Sequence, residues 1–318
     1  MPEQVCHPGS LPERPERSVL AVPASNWRMI EKGVASDADV VFLDLEDAVA
    51  LGEKAASRAN VVRAVHDLDW GAKPRMYRVN ALDTHYFYRD LIDVVESVGD
   101  RVDLVMLPKC HGPEDVYVVA TLLRQIELGL GLDREIGLEI QIESPAGLIA
   151  CDRIASASPR IESLVFGPGD YAASVGMPAA AIGGEDVWDA AYPGHRFHDV
   201  MHRILVAGRA ANLRVIDGPY ADFRDADGLR RSARRARALG YDGKWCIHPA
   251  QIAVVNEVFT PDAAEIAWTE RVVNAARTAS HSGQGSVALD GIMLDGASVR
   301  LAERTLGRTG RNPAISAE

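Results

Sequence analysis

Cationic residues are in deficit. The 318 residues carry 34 Lys and Arg against 45 Asp and Glu, a formal net charge of −11. That balance argues against a nucleic-acid binder, whose electrostatic footprint is basic. Cysteine is scarce: Cys6, Cys110, Cys151 and Cys246 are scattered without a CxxC pair, so neither a disulfide framework nor a zinc knuckle is expected. No apolar run approaches the ~20 residues that a membrane helix needs. The Pro- and Glu-rich stretch from Met1 to Arg17 lacks the apolar segment of a signal peptide. A Rossmann fingerprint is missing too, because the nearest match, Gly283-Gln-Gly285-Ser-Val-Ala288, follows a helical run rather than a strand. The expectation is a cytoplasmic protein that engages neither membrane nor nucleic acid. Hydrophobic residues make up 47% and charged residues 25%, enough for a sizeable globular core.

Short β-rich runs alternate with longer helical patterns almost from end to end. Strands are expected at Ser18 to Pro23, Asp39 to Leu45, Arg75 to Asn80, Leu104 to Lys109, Gly137 to Glu143, Ser163 to Gly167, Leu213 to Asp217 and Lys244 to His248. Several are near-continuous apolar runs, as strands buried on both faces require. Helical stretches separate them, among them Leu91 to Val98, Asp115 to Leu128, Phe197 to Asn212 and Leu229 to Leu239. Eight β–α units in roughly 250 residues fit a (β/α)₈ TIM barrel better than an open doubly wound sheet. The expected organisation is a flexible leader over 1–16, a barrel over 17–259 and a C-terminal helical lid or oligomerisation segment over 260–318. The last part reads as a helix from Pro261 to Ala279 with Thr260 as N-cap, a Gly/Ser hinge over Ser282 to Ser286, a short apolar segment and a final helix.

A barrel gathers its functional residues at the C-terminal ends of its strands. In order, those ends present Pro23, Asp44/Glu46/Asp47, Arg78/Asn80, Lys109, Glu143, Asp170, Asp217 and His248. Glu143 and Asp170 on adjacent strand ends form a sparse oxygen site of the kind Mg²⁺ favours, with Mn²⁺ an alternative ion; each carboxylate alone could simply serve a helix start. Arg78 offers a guanidinium for a carboxylate or an enolate oxygen, or an ion pair with Glu46 or Asp47. Lys109 reads as a structural ion pair or as a Schiff-base lysine. His198 and His202, one helical turn apart, lack the Glu of HExxH and a third ligand, so a solvated helix face is expected. The arginines at 230, 231, 234, 235 and 237 read as a charged outer helix.

The segments VVFLDLEDAV, RVNALDT, LPK, IESPAG, FGPGDYAASVGM, IDGPYADF and GKWCIHPAQ occur in the order seen in the citrate lyase β-subunit-like family. From about Arg17 to Leu306 the chain resembles its malyl-CoA, β-methylmalyl-CoA and citramalyl-CoA lyases. The resemblance implies that Glu143 and Asp170 hold Mg²⁺, that a 2-oxo acid chelates the open positions, and that Arg78 neutralises a thioester enolate. It makes Asp295 a catalytic acid/base delivered by the lid to a neighbouring subunit, with Asp290 as the competing carboxylate, and it implies a homotrimer or homohexamer. Glu46 and Asp47 are assigned as further catalytic carboxylates. The family commonly has a Pro-Gly-Ser-Arg-Pro-like turn near the coenzyme A phosphates; here the turn reads Pro23-Ala-Ser-Asn26-Trp27. Arg28 and Lys32 are the candidates to compensate, and Arg17 and Lys109 complete the cations assigned to a coenzyme A thioester. The implied activity is a reversible Claisen-type cleavage to acetyl-CoA or propionyl-CoA plus glyoxylate or pyruvate. Its rivals are a malyl-CoA thioesterase, a CoA-independent aldolase of 2-keto-3-deoxy acids and a non-catalytic barrel that binds CoA esters. The loop from Gly176 to Gly184 is the expected discriminator between oxo acids.

Overall fold

A computed structural model describes residues 12, 14–192 and 194–308. The chain forms two compact units, Met1–Glu257 and Val258–Glu318. In the first, the strands are β1 (Ser18–Pro23), β2 (Val40–Asp44), β3 (Arg75–Arg78), β4 (Leu104–Leu107), β5 (Gly137–Ile142), β6 (Ile161–Phe166), β7 (Arg214–Asp217) and β8 (Gly243–Cys246). Each pairs in parallel with the next, and β1 pairs with β8, which closes the barrel. The connecting helices are α1 (Trp27–Val34), α2 (Lys54–Asp67), α3 (Phe87–Val98), α4 (Pro113–Leu130), α5 (Pro145–Ile149), α6 (Cys151–Ala155), α7 (Pro168–Ser174), α8 (Val187–Ala191), α9 (His198–Ala210), α10 (Ala226–Leu239) and α11 (Ile252–Phe259). All eight expected strands are present, as a TIM-barrel-like α/β fold.

Alternation along each strand builds the interior. Val19, Val40, Phe42, Met76, Leu104, Met106, Val165, Ile216 and Trp245 form one buried cluster, and the Phe42 and Trp245 rings lie 4.8 Å apart. Their strand neighbours, such as Val41, Leu43 and Val105, are equally buried, since in β/α barrels the outer face packs on helices. Turn chemistry starts the helices where the strands stop. Pro113, Pro145 and Pro168 each occupy a first helical position, where a missing N–H is harmless. Asn26 caps α1, its Oδ1 accepting from Met29 N at 3.1 Å. The departure at Pro23-Ala-Ser-Asn26-Trp27 therefore retains a helix-starting side chain.

The leader is anchored sooner than expected. Glu16 is buried against Arg214 (2.9 Å), and Arg14 meets Glu162 (3.2 Å), all at the base of the barrel. Residues 1–11 and 13 of that leader lie outside the described residues. Among the described residues, no helix is long and apolar enough to cross a membrane, and Cys110, Cys151 and Cys246 are buried free thiols.

The second unit contains α12 (Ala263–His281), β9 (Val287–Leu289), β10 (Ile292–Leu294) and α13 (Gly296–Gly307). Two expectations are corrected here. Helix α12 is capped by Asp262, which exchanges hydrogen bonds with Glu265, rather than by Thr260. This carboxylate pair satisfies two orphan amides reciprocally. The short apolar segment is an antiparallel hairpin. Asp290 and Gly291 form its two-residue turn with φ of 51° and 78°, and an Asp-Gly pair readily adopts such left-handed backbone. Val272, Val273, Leu294, Ala302 and Leu306 make this unit's own core.

Candidate active site

The C-terminal ends of β2 to β6 carry a connected set of charged side chains. Asp44, the last residue of β2, is buried and receives Arg78 as a fork, Nε to Oδ1 and Nη2 to Oδ2, both at 2.7 Å. The same two oxygens accept from Glu46 N at 2.9 Å and Ala48 N at 3.1 Å. The turn after β2 and the guanidinium on β3 are thus fixed by one carboxylate. Arg78 reaches Glu46 Oε2 at 3.3 Å and donates from Nη1 to Gln141 Oε1 at 3.2 Å. Its guanidinium lies over Phe42 and Trp245, 5.7 and 5.4 Å from the ring centroids. Of its five N–H donors, four meet Asp44, Glu46 and Gln141 among the described residues. Burial opposes its charge, but Asp44, Glu46 and Glu143 outweigh that and raise its pKa.

Glu143 follows β5 and is 2% exposed. Gln141 Nε2 donates to its Oε2 at 2.6 Å, and Lys109 N donates to its Oε1 at 2.7 Å. Lys109 supplies that amide only because its backbone is left-handed, with φ of 49°, a conformation that costs a non-glycine residue about 1–3 kcal/mol and clusters at functional sites. Burial pushes the Glu143 carboxyl up to about 8, with Arg78 opposing and Asp170 reinforcing the shift. Asp170 sits in the first turn of α7, after β6, and is half exposed. Between them, Gly167 allows a close approach: a Cβ there would lie 2.4 Å from Glu143 Cβ and 2.5 Å from Oε2.

Lys109 closes the group on its outer side. Its ammonium pairs with Glu46, with Asp47 at 3.1 Å and with Asp170 at 3.9 Å. Burial opposes this charge too, yet the Glu46 and Asp47 carboxylates raise its pKa. A lysine held so firmly as ammonium is a poor Schiff-base nucleophile. Burial raises the Glu46 carboxyl, and Asp47, despite its own partial burial, is held below the usual range by Glu46, Lys109 and Arg78.

These contacts bring Glu46, Asp47, Arg78, Lys109, Glu143 and Asp170 together and add two residues that the sequence reading gave no role. Asp44, rather than Glu46 or Asp47, is the principal partner of Arg78. Gln141 links Arg78 to Glu143; it shares the inward face of β5 with Glu139 and Glu143 by strand alternation. Other candidates are held by different partners. Arg17 precedes β1 at the base of the barrel and is forked onto Asp39 at 2.8 and 2.7 Å, at the end opposite the site. Asp217 alternates with inward Ile216 and so turns away from the barrel axis, pairing with buried Lys244 at 2.5 Å. His248 caps a short turn through Nδ1 and stacks on Phe223. Arg28 and Lys32 are exposed on α1. Asp290 pairs with Arg271 at 2.6 Å. Asp295, in the second unit, caps α13 by accepting from Ala297 N and Ser298 N at 2.9 and 3.1 Å, and these amides hold its carboxyl below the usual range.

The donor set suits a hard divalent ion. Glu143 and Asp170 follow neighbouring strands, paired through Ile142 and Phe166. The buried Glu143 carboxyl, strained from ionisation, would be relieved by a cation. Among the described residues no group of three or more His, Cys, Asp or Glu is placed to hold a metal; Glu143 and Asp170 offer two carboxylates. That is the Mg²⁺ pattern, in which water and substrate oxygens supply the remainder.

Known proteins share this arrangement of sequence. The HpcH/HpaI aldolase/citrate lyase pattern matches residues 17–249. An L-malyl-CoA/β-methylmalyl-CoA lyase of Cereibacter sphaeroides is 41% identical over 298 residues, covering 92% of this chain and 94% of that protein. A (3S)-malyl-CoA thioesterase of the same species is 34% identical over 295 residues, covering 92% and 94%. A CitE protein from Mycobacterium tuberculosis, solved in complex with magnesium, acetoacetate and coenzyme A, superposes with a TM-score of 0.73 at 29% identity, covering 96% of this chain and 99% of that one. With a matched segment that spans the whole barrel and a relative of this similarity over nearly its full length, the chain belongs to the HpcH/HpaI aldolase/citrate lyase family.

Proposed function

We propose that the protein is a Mg²⁺-dependent carbon–carbon lyase that cleaves a 3-hydroxyacyl-CoA reversibly to acetyl-CoA or propionyl-CoA and a 2-oxo acid. The observation that carries this reading is the Glu143–Gln141–Arg78 chain, which links the buried Glu143 carboxyl to the buried Arg78 guanidinium. Glu143 and Asp170 would hold Mg²⁺, which when bound would supply Lewis acidity to the substrate's oxygens. In cleavage, the substrate hydroxyl gives its proton to the Asp295 carboxylate, its oxygen forms the new carbonyl, and the pair of the broken C–C bond passes into a thioester enolate. Arg78 holds the enolate oxygen, where a preorganised donor in a water-poor site acts most strongly. Asp295 protonates the enolate carbon and, in the condensing direction, removes that proton. Glu46, Asp47 and Lys109 fix the outer rim, and Arg28 and Lys32 supply cations for the coenzyme A phosphates. Asp295 reaches the site of a neighbouring subunit in a cytoplasmic homotrimer or homohexamer.

The experiment is release of 2-oxo acid, trapped as a phenylhydrazone, from malyl-CoA, β-methylmalyl-CoA and citramalyl-CoA by wild type and Asp170→Ala. Oxo acid that requires both Mg²⁺ and Asp170 supports the lyase, and the preferred ester names the substrate. The thioesterase reading, favoured by the 34% identical relative, predicts free thiol without oxo acid. No product from any ester under any metal removes both readings.

A further inference from the structure

Lys54, the first residue of α2, is buried, and lysines are rarely so unless their charge is answered. Its ammonium has three protons, and each has a partner: the carbonyls of Leu45 and Glu46, both at 3.0 Å, and Asn80 Oδ1 at 2.6 Å. None of these is a carboxylate. The negative charge comes one link later, where Asn80 donates from its backbone N to Asp90 Oδ2 at 2.9 Å and from Nδ2 to the same oxygen. Arg58 Nε then donates to Asp90 Oδ1 at 2.7 Å. The Tyr86 ring lies 5.5 Å from the ammonium.

The two carbonyls belong to the turn that carries Glu46 into the site. Asp44 holds that turn through the amides of Glu46 and Ala48, and Lys54 holds it through the opposite, carbonyl side. A turn fixed on both sides leaves the Glu46 carboxylate little choice but to meet Arg78 and Lys109. Catalytic groups need such support, because displacements of about 1 Å can lower rates about 10²-fold.

We propose that Lys54 is a positioning residue of this site: braced by Asn80, Asp90 and Arg58, it clamps the Leu45 and Glu46 carbonyls and so sets where Glu46 meets Arg78 and Lys109. This rests on the lyase reading for its kinetic consequence. A lysine that served the fold alone would affect the enzyme regardless of what stands at position 46. One that acts through Glu46 loses its influence once that carboxylate is gone.

The test is Lys54→Met made in the wild type and in Glu46→Gln, with Mg²⁺ and the preferred ester, together with native-state hydrogen–deuterium exchange of residues 44–50. Lys54→Gln serves if the Met variant does not fold. The expected result is a fall in kcat of about tenfold with KM within about twofold, no further fall when Lys54→Met is added to Glu46→Gln, and faster exchange confined to residues 44–50. Losses that multiply in the double variant, or unchanged exchange at the turn, overturn the proposal. If the wild type releases no oxo acid, the lyase reading fails, and the exchange experiment still decides whether Lys54 holds the turn.

Discussion

Asp44 and Arg78 meet as a buried fork, with both N–H···O contacts at 2.7 Å. The two residues are register partners on neighbouring strands, so the orientation and the charge of the guanidinium are set together. Asp44→Asn leaves the buried guanidinium poorly answered, and breaking such a pair costs about 3–5 kcal/mol. The low end is expected, because Glu46 also lies within 3.3 Å. Arg78→Lys keeps a charge but not the fork, and kcat falls about 10²–10³-fold, the size seen when one oxyanion donor is removed. Urea unfolding and steady-state kinetics check both, and a Lys variant with wild-type kcat would remove Arg78 from the chemistry.

Glu143→Gln and Asp170→Asn test the metal site independently of turnover. Outer partners of metal ligands are worth about 10–100-fold in affinity, so replacing a ligand itself weakens Mg²⁺ or Mn²⁺ binding by about 100-fold or more. Calorimetric titration reads this directly. Gln141→Leu, which removes the bond to Glu143, is expected inside the smaller range. Should all three variants bind metal as tightly as wild type, the ion sits elsewhere.

Much of this was legible in the sequence, and the failures have physical reasons. Eight apolar strands showed themselves because parallel strands are buried on both faces. Glu143 and Asp170 could be placed at neighbouring strand ends because each follows an apolar strand closely. Gln141 was missed because an uncharged residue inside an apolar run looks like core, although its place on the Glu139–Glu143 face was readable from alternation. The same alternation, applied to Ile216, would have turned Asp217 away from the site. In the tail, Asp290-Gly291 between apolar triplets is a hairpin signal that two flanking helical runs obscure. The Lys54 clamp gave little signal, since two of its three partners are backbone carbonyls.

Glu139 gives the fold a pH dependence. It is fully buried, bonded to Ser163 Oγ at 2.6 Å, and pushed up to about 8 from its ordinary 4.5, first by burial and then by the charge of Glu16. The folded protein therefore holds a proton that the unfolded chain releases above about 4.5. Stability from this group is full below that pH and is lost as pH rises through about 8, with a slope of at most about 1.4 kcal/mol per pH unit. Glu139→Gln keeps a neutral side chain at every pH, so its urea midpoint should fall less than that of wild type between pH 5 and pH 8.5. Parallel decline of the two proteins would show that Glu139 is ionised in the fold throughout.

Asp295 carries two expectations that one substitution can separate. As N-cap of α13 it satisfies the amides of Ala297 and Ser298, and its loss to Ala weakens the start of that helix. As the proposed acid/base it is needed for proton transfer, a contribution of about 10²–10⁴-fold. Ser is as good a cap as Asp but no acid or base at neutral pH. Asp295→Ser should thus keep the helix, read by exchange protection of residues 296–299, while kcat falls by about 10² or more. Asp295→Ala should lose both. If Asp295→Ser retains wild-type kcat, the aspartate is a cap and nothing else, and the proton must be carried by another group.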